Sequence, residues 1–349
     1  MTAADALLAV MWAGLTAYVL FGGADFGAGF WDLTAGGDRR GNATRKLVEH
    51  SLGPVWEANH VWLIFVIVMM WTGFPSVFAA VASTLYIPLT LAALGIIGRG
   101  SAFAFRKVST ELWQQRLFGA VFAASSVLTP FFLGAAAGAI ASGRVPLGNA
   151  AGDIWTSWWN PTSVTTGWLA VTVAAYLAAV FLTQDATRTA PELADVFRHR
   201  ALGAGLAAGV LSAGGLLVLR ADARQLFDEF THGRGLVLAA LSALFGVISL
   251  GLLAARRYVP VRVTAALAVS GLLWAWGAAQ YPVLLPPDVT IAETHASRAV
   301  LVATLWAMGL GGLMLLPSLG WLYMLFQRST DPHTTEDKHD ATGHRPSQP

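Results

Sequence analysis

Nine stretches of this sequence are long enough, and poor enough in charge, to cross a lipid bilayer. They fall near residues 6–33, 48–71, 75–98, 115–141, 164–182, 201–219, 236–255, 263–281 and 299–326. A spanning helix needs about 20 predominantly apolar residues, because the hydrocarbon core is about 30 Å thick and a helix rises ~1.5 Å per residue. Inside the bilayer no water is present to satisfy backbone N–H and C=O groups, so a segment of this kind bonds within its own helix. The chain is therefore read as an all-α polytopic membrane protein of about nine transmembrane helices. Charged residues make up 12% of it, where a soluble domain carries about 25%. That scarcity excludes a disordered chain and a nucleic-acid binder. The absence of cysteine excludes a disulfide scaffold, thiolate metal sites and catalytic thiols.

The few charges set an expected orientation. Basic residues cluster in alternate loops: Arg39, Arg40, Arg45 and Lys46; Arg99, Arg106, Lys107 and Arg116; Arg188, Arg198 and Arg200; Arg256, Arg257 and Arg262; then Arg328, Lys338 and Arg345. Basic loops stay on the cytoplasmic side. The N-terminus is thus expected outside and the C-terminus in the cytoplasm, with no cleavable signal. The expected organisation is a nine-helix membrane domain over residues 1–328 and a disordered cytoplasmic tail over 329–349, the tail being polar with three Pro and three His. Trp155, Trp158 and Trp159 suit an interfacial aromatic belt. Residues 220–234 suit a short amphipathic surface segment. Gly23/Gly27, Gly134/Gly138 and Gly205/Gly209 have spacings that let helices approach closely.

Ionisable groups inside the spans are where function is expected, because each is expensive in lipid. Asp25 sits in the first span among Gly22, Gly23, Gly27 and Gly29. Glu57 sits in the second span, with His60 three residues on and hence on the same face. Counted from Arg39 and Lys46, the two carboxylates reach similar depths, about 20 and 16 Å, and could share one polar pocket. Asn59 and Trp62 add donors beside them. Arg99, at the end of the third span, is either a snorkelling anchor or the counter-charge to a buried carboxylate. A carboxylate near water in such a place suits proton relay; helix packing is the alternative. Metal or haem ligation is not expected. His60 is the main histidine within a span, and no two histidines face each other at matched depth. A proton-coupled secondary transporter would also use embedded carboxylates and glycine-broken helices, but no inverted repeat is visible.

One segment is specific. Gly53-Pro54-Val55-Trp56-Glu57-Ala58-Asn59-His60-Val61-Trp62-Leu63-Ile64 resembles the second-helix signature of subunit II of cytochrome bd-type quinol oxidases, G-P-x-W-[DE]-x-N-x-x-W-L. Gly23-Ala24-Asp25-Phe26-Gly27-Ala28-Gly29 resembles the end of that family's first helix, with one departure: the family's first acid there is Gly22 in this chain. Arg99 and Arg106 fall where the family has arginines, and Gln280–Pro286 resembles its eighth-helix end. The resemblance implies two four-helix bundles plus one peripheral helix in a bacterial cytoplasmic (inner) membrane. It implies pairing with a haem-bearing subunit I that holds haems b and d, while this chain ligates none. The complex would oxidise quinol and reduce oxygen to water, with room for a bound quinone or membrane lipid and for small single-helix accessory subunits. By the same resemblance Glu57 and Asp25 take positions in a proton path, and Arg99, Asn59, His60 and Trp62 support its polar pocket.

Overall fold

The structure, a computed structural model, describes residues 2–36, 39–52, 56–109 and 111–328. Its first span is one rod in three segments: α1 (Ala3–Ala17), a π-helical turn (Tyr18–Gly22) and α2 (Gly23–Leu33). Next come α3 (Arg39–Leu52), α4 (Trp56–Gly73), α5 (Pro75–Thr84), α6 (Tyr86–Val108), α7 (Leu112–Ala141) and α8 (Pro161–Thr189). After these follow α9 (Pro191–Asp222), α10 (Arg224–Thr231), α11 (Leu236–Ala254) and α12 (Tyr258–Gln280). An antiparallel hairpin of β1 (Val283–Leu285) and β2 (Val289–Thr290) and the single turn α13 (Ile291–Thr294) complete the first compact unit, which ends at Ala296. The second unit begins at Ser297, and its described part is α14 (Arg298–Arg328), with Pro317 inside the helix. The expected tail, 329–349, lies outside the described residues.

Among the described residues, 8 helical segments are long and apolar enough to cross a membrane. They match the expected spans except at the second and third: the apolar helix Asn59–Gly73 is shorter and follows the charged α3, and the spanning segment in place of 75–98 is Tyr86–Arg106. The third expected span is also not continuous. α5 ends at Thr84, Leu85 leaves helical geometry (φ −100°, ψ 25°), and α6 begins at Tyr86. Pro88 explains the break. It has no N–H to offer the Thr84 carbonyl, and in an unbroken helix its ring would strike that oxygen. α9 starts ten residues before the expected boundary, because the charged run 192–200 continues the helix past its apolar part.

Helix directions follow from side-chain bonds. Trp12 Nε1 donates to the Leu273 carbonyl at 3.2 Å, Trp274 Nε1 to Thr16 Oγ1 at 3.1 Å, and the Tyr281 hydroxyl to Asp5 at 3.3 Å. From Asp5 to Thr16 the partners fall from Tyr281 to Trp274, so α1 and α12 run antiparallel.

α8 is the hub, packing on α2, α7, α9 and α12. Its Tyr176, Leu177, Ala179 and Val180 join Ala24, Ala201, Leu253, Val261 and Ala265 in one buried cluster. Lipid tails are as apolar as Leu, so what holds such helices together is close packing rather than water exclusion. Of the small-residue pairs, Gly27, Gly134, Gly138 and Gly205 lie at tight crossings, whereas Gly209 faces open space. At Gly27 the α8 backbone comes so near that a Cβ would overlap the Ala174 carbonyl. Trp31 Nε1 then donates to the Ala175 carbonyl at 2.8 Å.

The loop before α8 is built on Asp153. Its Oδ1 accepts from the Thr156 N–H (2.7 Å), the Thr156 hydroxyl (2.9 Å) and the Trp155 N–H (2.9 Å). Trp155 and Trp159 stay exposed while Trp158 is buried. These donors, the Thr156 N–H foremost, hold the Asp153 carboxyl below its ordinary value of 3.8. A depressed folded-state pKa adds stability that is present above the ordinary value and lost as pH falls through the folded one. Amide exchange at Trp155 and Thr156 should therefore lose protection on acidification through that lowered value, while α8 keeps its own. Unchanged protection in Asp153→Asn would contradict this.

Candidate functional site

The π-turn sets the site. One extra residue in a helical turn rotates every later side chain by about 100° around the axis, and such turns concentrate at functional positions. Beyond it Asp25 points inward and is 1% exposed. Asn59 Nδ2 on α4 donates to the Phe21 carbonyl inside the turn at 3.4 Å, which ties α4 to this irregular backbone.

Arg99, from the middle of α6, meets Asp25 head on. Its Nη1 donates to Oδ2 at 2.7 Å, and its Nη2 to Oδ1 and to the Asp25 carbonyl, each at 2.9 Å. Arg99 Nε donates to Ser126 Oγ at 3.2 Å, and Ser126 in turn donates to the Phe122 carbonyl at 2.7 Å. The rings of Phe26 and Phe122 both lie 5.0 Å from the guanidinium, favourable for a cation over aromatic faces. Arg99 is 3% exposed, so the counter-charge alternative holds and the snorkelling one does not. Buried charges persist only when paired and hydrogen-bonded, and here both conditions are met.

A second pair lies one step along. Arg106 Nη1 donates to Asp32 at 3.0 Å, and Arg45 Nε approaches the other oxygen at 3.4 Å. Both rungs join residues 74 apart in sequence. α2 and α6 are therefore parallel, and the seven-residue steps from Asp25 to Asp32 and from Arg99 to Arg106 fall in register. Beside the second rung is a cavity of about 200 Å³ lined by Asp32, Arg45, Glu49, Arg106 and Gln115, with Phe122 also on its wall. Phe122 thus touches both the cavity and the buried Arg99.

His60 is half-buried on α4, its ring centroid 5.9 Å from Phe26 and 6.4 Å from Tyr18. That brings Asp25, Arg99, Asn59 and His60 into one neighbourhood. The Trp62 ring packs edge-on against Phe65 at 6.2 Å. The Glu57 side chain, like Gly53, Pro54 and Val55, lies outside the described residues, although Glu57 belongs to α4. Among the described residues no group of three or more His, Cys, Asp or Glu side chains could hold a metal ion.

Sequence reasoning missed Asp32, Tyr18, Phe122 and Ser126 as parts of this site. For Asp32 a signal existed, in the matched seven-residue spacings on two helices. For Tyr18 there was none, because nothing in the residue types announces a π-turn.

The family model described as cytochrome bd terminal oxidase subunit II matches residues 4–326. The chain belongs to that family. It is 32% identical over 128 residues to the cytochrome bd ubiquinol oxidase subunit 2 of Bacillus subtilis, covering 37% of this chain and 36% of that protein. It is 28% identical over 130 residues to the cytochrome bd-I ubiquinol oxidase subunit 2 of Escherichia coli K12, covering 37% and 33%. The matches thus span about a third of the length of these curated relatives. In three dimensions this cytochrome bd subunit II is similar to a chain in the structure of bd oxidase from Geobacillus thermodenitrificans. The TM-score is 0.78 at 26% identity, covering 93% of this chain and 99% of that one.

Proposed function

We propose that this chain is the non-haem-ligating subunit of a quinol:oxygen oxidoreductase, and that it carries protons from the cytoplasm toward a haem-bearing subunit I. In that complex the partner holds haems b and d, and oxidation of quinol is coupled there to reduction of oxygen to water. The observation that carries the proton role is the pair Asp25–Arg99, buried just past the π-turn that packs against α4, the helix to which Glu57 and His60 belong. Because all of Asp25's carboxylate is engaged by Arg99, Asp25 is the fixed negative charge of the pocket. Glu57 is the group that takes and releases the proton. Asn59 and His60 keep α4 against the π-turn, and the cavity beside Asp32 is the cytoplasmic mouth. The α4 segment completes nine spans, in two four-helix bundles plus a peripheral helix, with the N-terminus outside and residues 329–349 a cytoplasmic tail.

The test uses the complex purified with its partner. Glu57→Gln keeps size and hydrogen bonding but removes the titrating proton. Quinol-driven oxygen uptake should fall by roughly 10²-fold, the lower end of what a positioned acid–base group supplies, while haem content stays at the wild-type level. Wild-type turnover would overturn the relay. A chain that purifies alone and moves a solute with protons would replace the oxidase reading by the transporter.

A further inference from the structure

Tyr18 is a phenol that the fold has no packing reason to keep. It is 6% exposed, and its hydroxyl has no hydrogen-bond partner among the described residues. Leaving a buried polar atom without a hydrogen bond destabilises a fold, a cost phenylalanine would avoid. The ring is nevertheless held closely. It lies over Gly22, one helical turn on, where a Cβ would stand 3.0 Å from the ring. A Cβ at position 22 would require the ring to give by a few tenths of an ångström, so the glycine that stands where the family motif has an acid lets it lie this close. His60 lies beside the ring, 6.4 Å between centroids, and is itself 5.9 Å from Phe26, the ring over which the Arg99 guanidinium sits at 5.0 Å. The residue also opens the π-turn, the one irregular stretch of the first span.

We propose that the Tyr18 hydroxyl is a neutral proton-passing group that binds water at the π-turn, between the Asp25–Arg99 pair and His60 on α4. A hydroxyl both donates and accepts. It can accept a proton from one water while releasing its own to the next group, so no net charge is left on the phenol. No carboxylate is then needed at position 22. This inference rests on the proton reading above, as a positioning link in the same path.

Tyr18→Phe in the intact complex removes only the oxygen atom. Oxygen turnover should drop about tenfold, less than for Glu57→Gln because water can bypass one hydroxyl, and the solvent deuterium isotope effect on turnover should change. Haem content should not. Wild-type turnover and isotope effect in Tyr18→Phe, beside a slow Glu57→Gln, would overturn the Tyr18 proposal and leave the relay standing. Normal turnover in both variants would overturn both. Should Tyr18→Phe lose the complex, replacement of Tyr18 by 3-fluorotyrosine keeps shape and hydroxyl while making the phenol more acidic. The proposal then requires a displaced turnover–pH profile, and an unmoved profile overturns it.

Discussion

Replacing Arg99 by Met should destabilise the protein by about 3–5 kcal/mol, the cost of leaving a buried charge without its partner. Asp25 would keep a carboxylate at 1% exposure with its three hydrogen bonds from Arg99 gone. A sharp loss of assembled complex, or of its melting temperature, measures this. The double variant Asp25→Leu/Arg99→Met is the informative control. Replacing both members of a buried pair by apolar residues is often close to neutral, so it should recover most of the stability. It should not recover oxygen turnover if the fixed charge of Asp25 serves the proton path. A double variant as unstable as the single one would mean that shape, not charge, dominates this crossing.

The second large effect belongs to Gly27→Ala. The added Cβ has no side chain to displace, since what it meets is the Ala174 carbonyl and the peptide beyond it. Backbone can yield only by moving a whole helix, so α2 and α8 would separate and the Trp31-to-Ala175 bond would be lost. Overpacking of this kind costs about 3 kcal/mol. Gly209→Ala, where nothing lies within 4 Å, should be neutral or gain up to about 1 kcal/mol from helix propensity. Thermal melting of the two variants side by side makes the comparison. Equal stability would show that the crossing is looser than its geometry.

Both effects also show what could be read from the residues. The apolar runs gave the spans, and the twelve residues from Gly53 to Ile64 pointed to the family, because composition and a dense motif are local properties. The spacing of Gly23 and Gly27 marked a crossing but not its partner, since which helix fills the groove is decided by packing between distant segments. Arg99 was left with two roles for the same reason: an arginine at a span end points inward only if a carboxylate waits there. The break at Leu85 was within reach, through Pro88. The π-turn was not. It is a matter of which carbonyl each N–H chooses, and the residue types from Tyr18 to Gly22 would suit an ordinary helix equally well. So the inward turn of Asp25 and the burial of Tyr18 could be seen only in three dimensions.

The two rungs between α2 and α6 have a consequence for how the chain is made. Their acids lie on the earlier helix and their arginines on the later one, 74 residues downstream. At about 5–20 residues per second of synthesis, Asp25 leaves the ribosome roughly 4–15 s before Arg99 exists, whereas Asp32 has Arg45 soon after it and only Arg106 after the longer interval. During that interval the first span cannot settle at its final depth with a bare carboxylate in lipid. It must wait where water, headgroups or the insertion machinery can hold the charge, and it docks only when α6 arrives. The ladder that stabilises the finished fold therefore also schedules its assembly, with the third span as the step that releases the first.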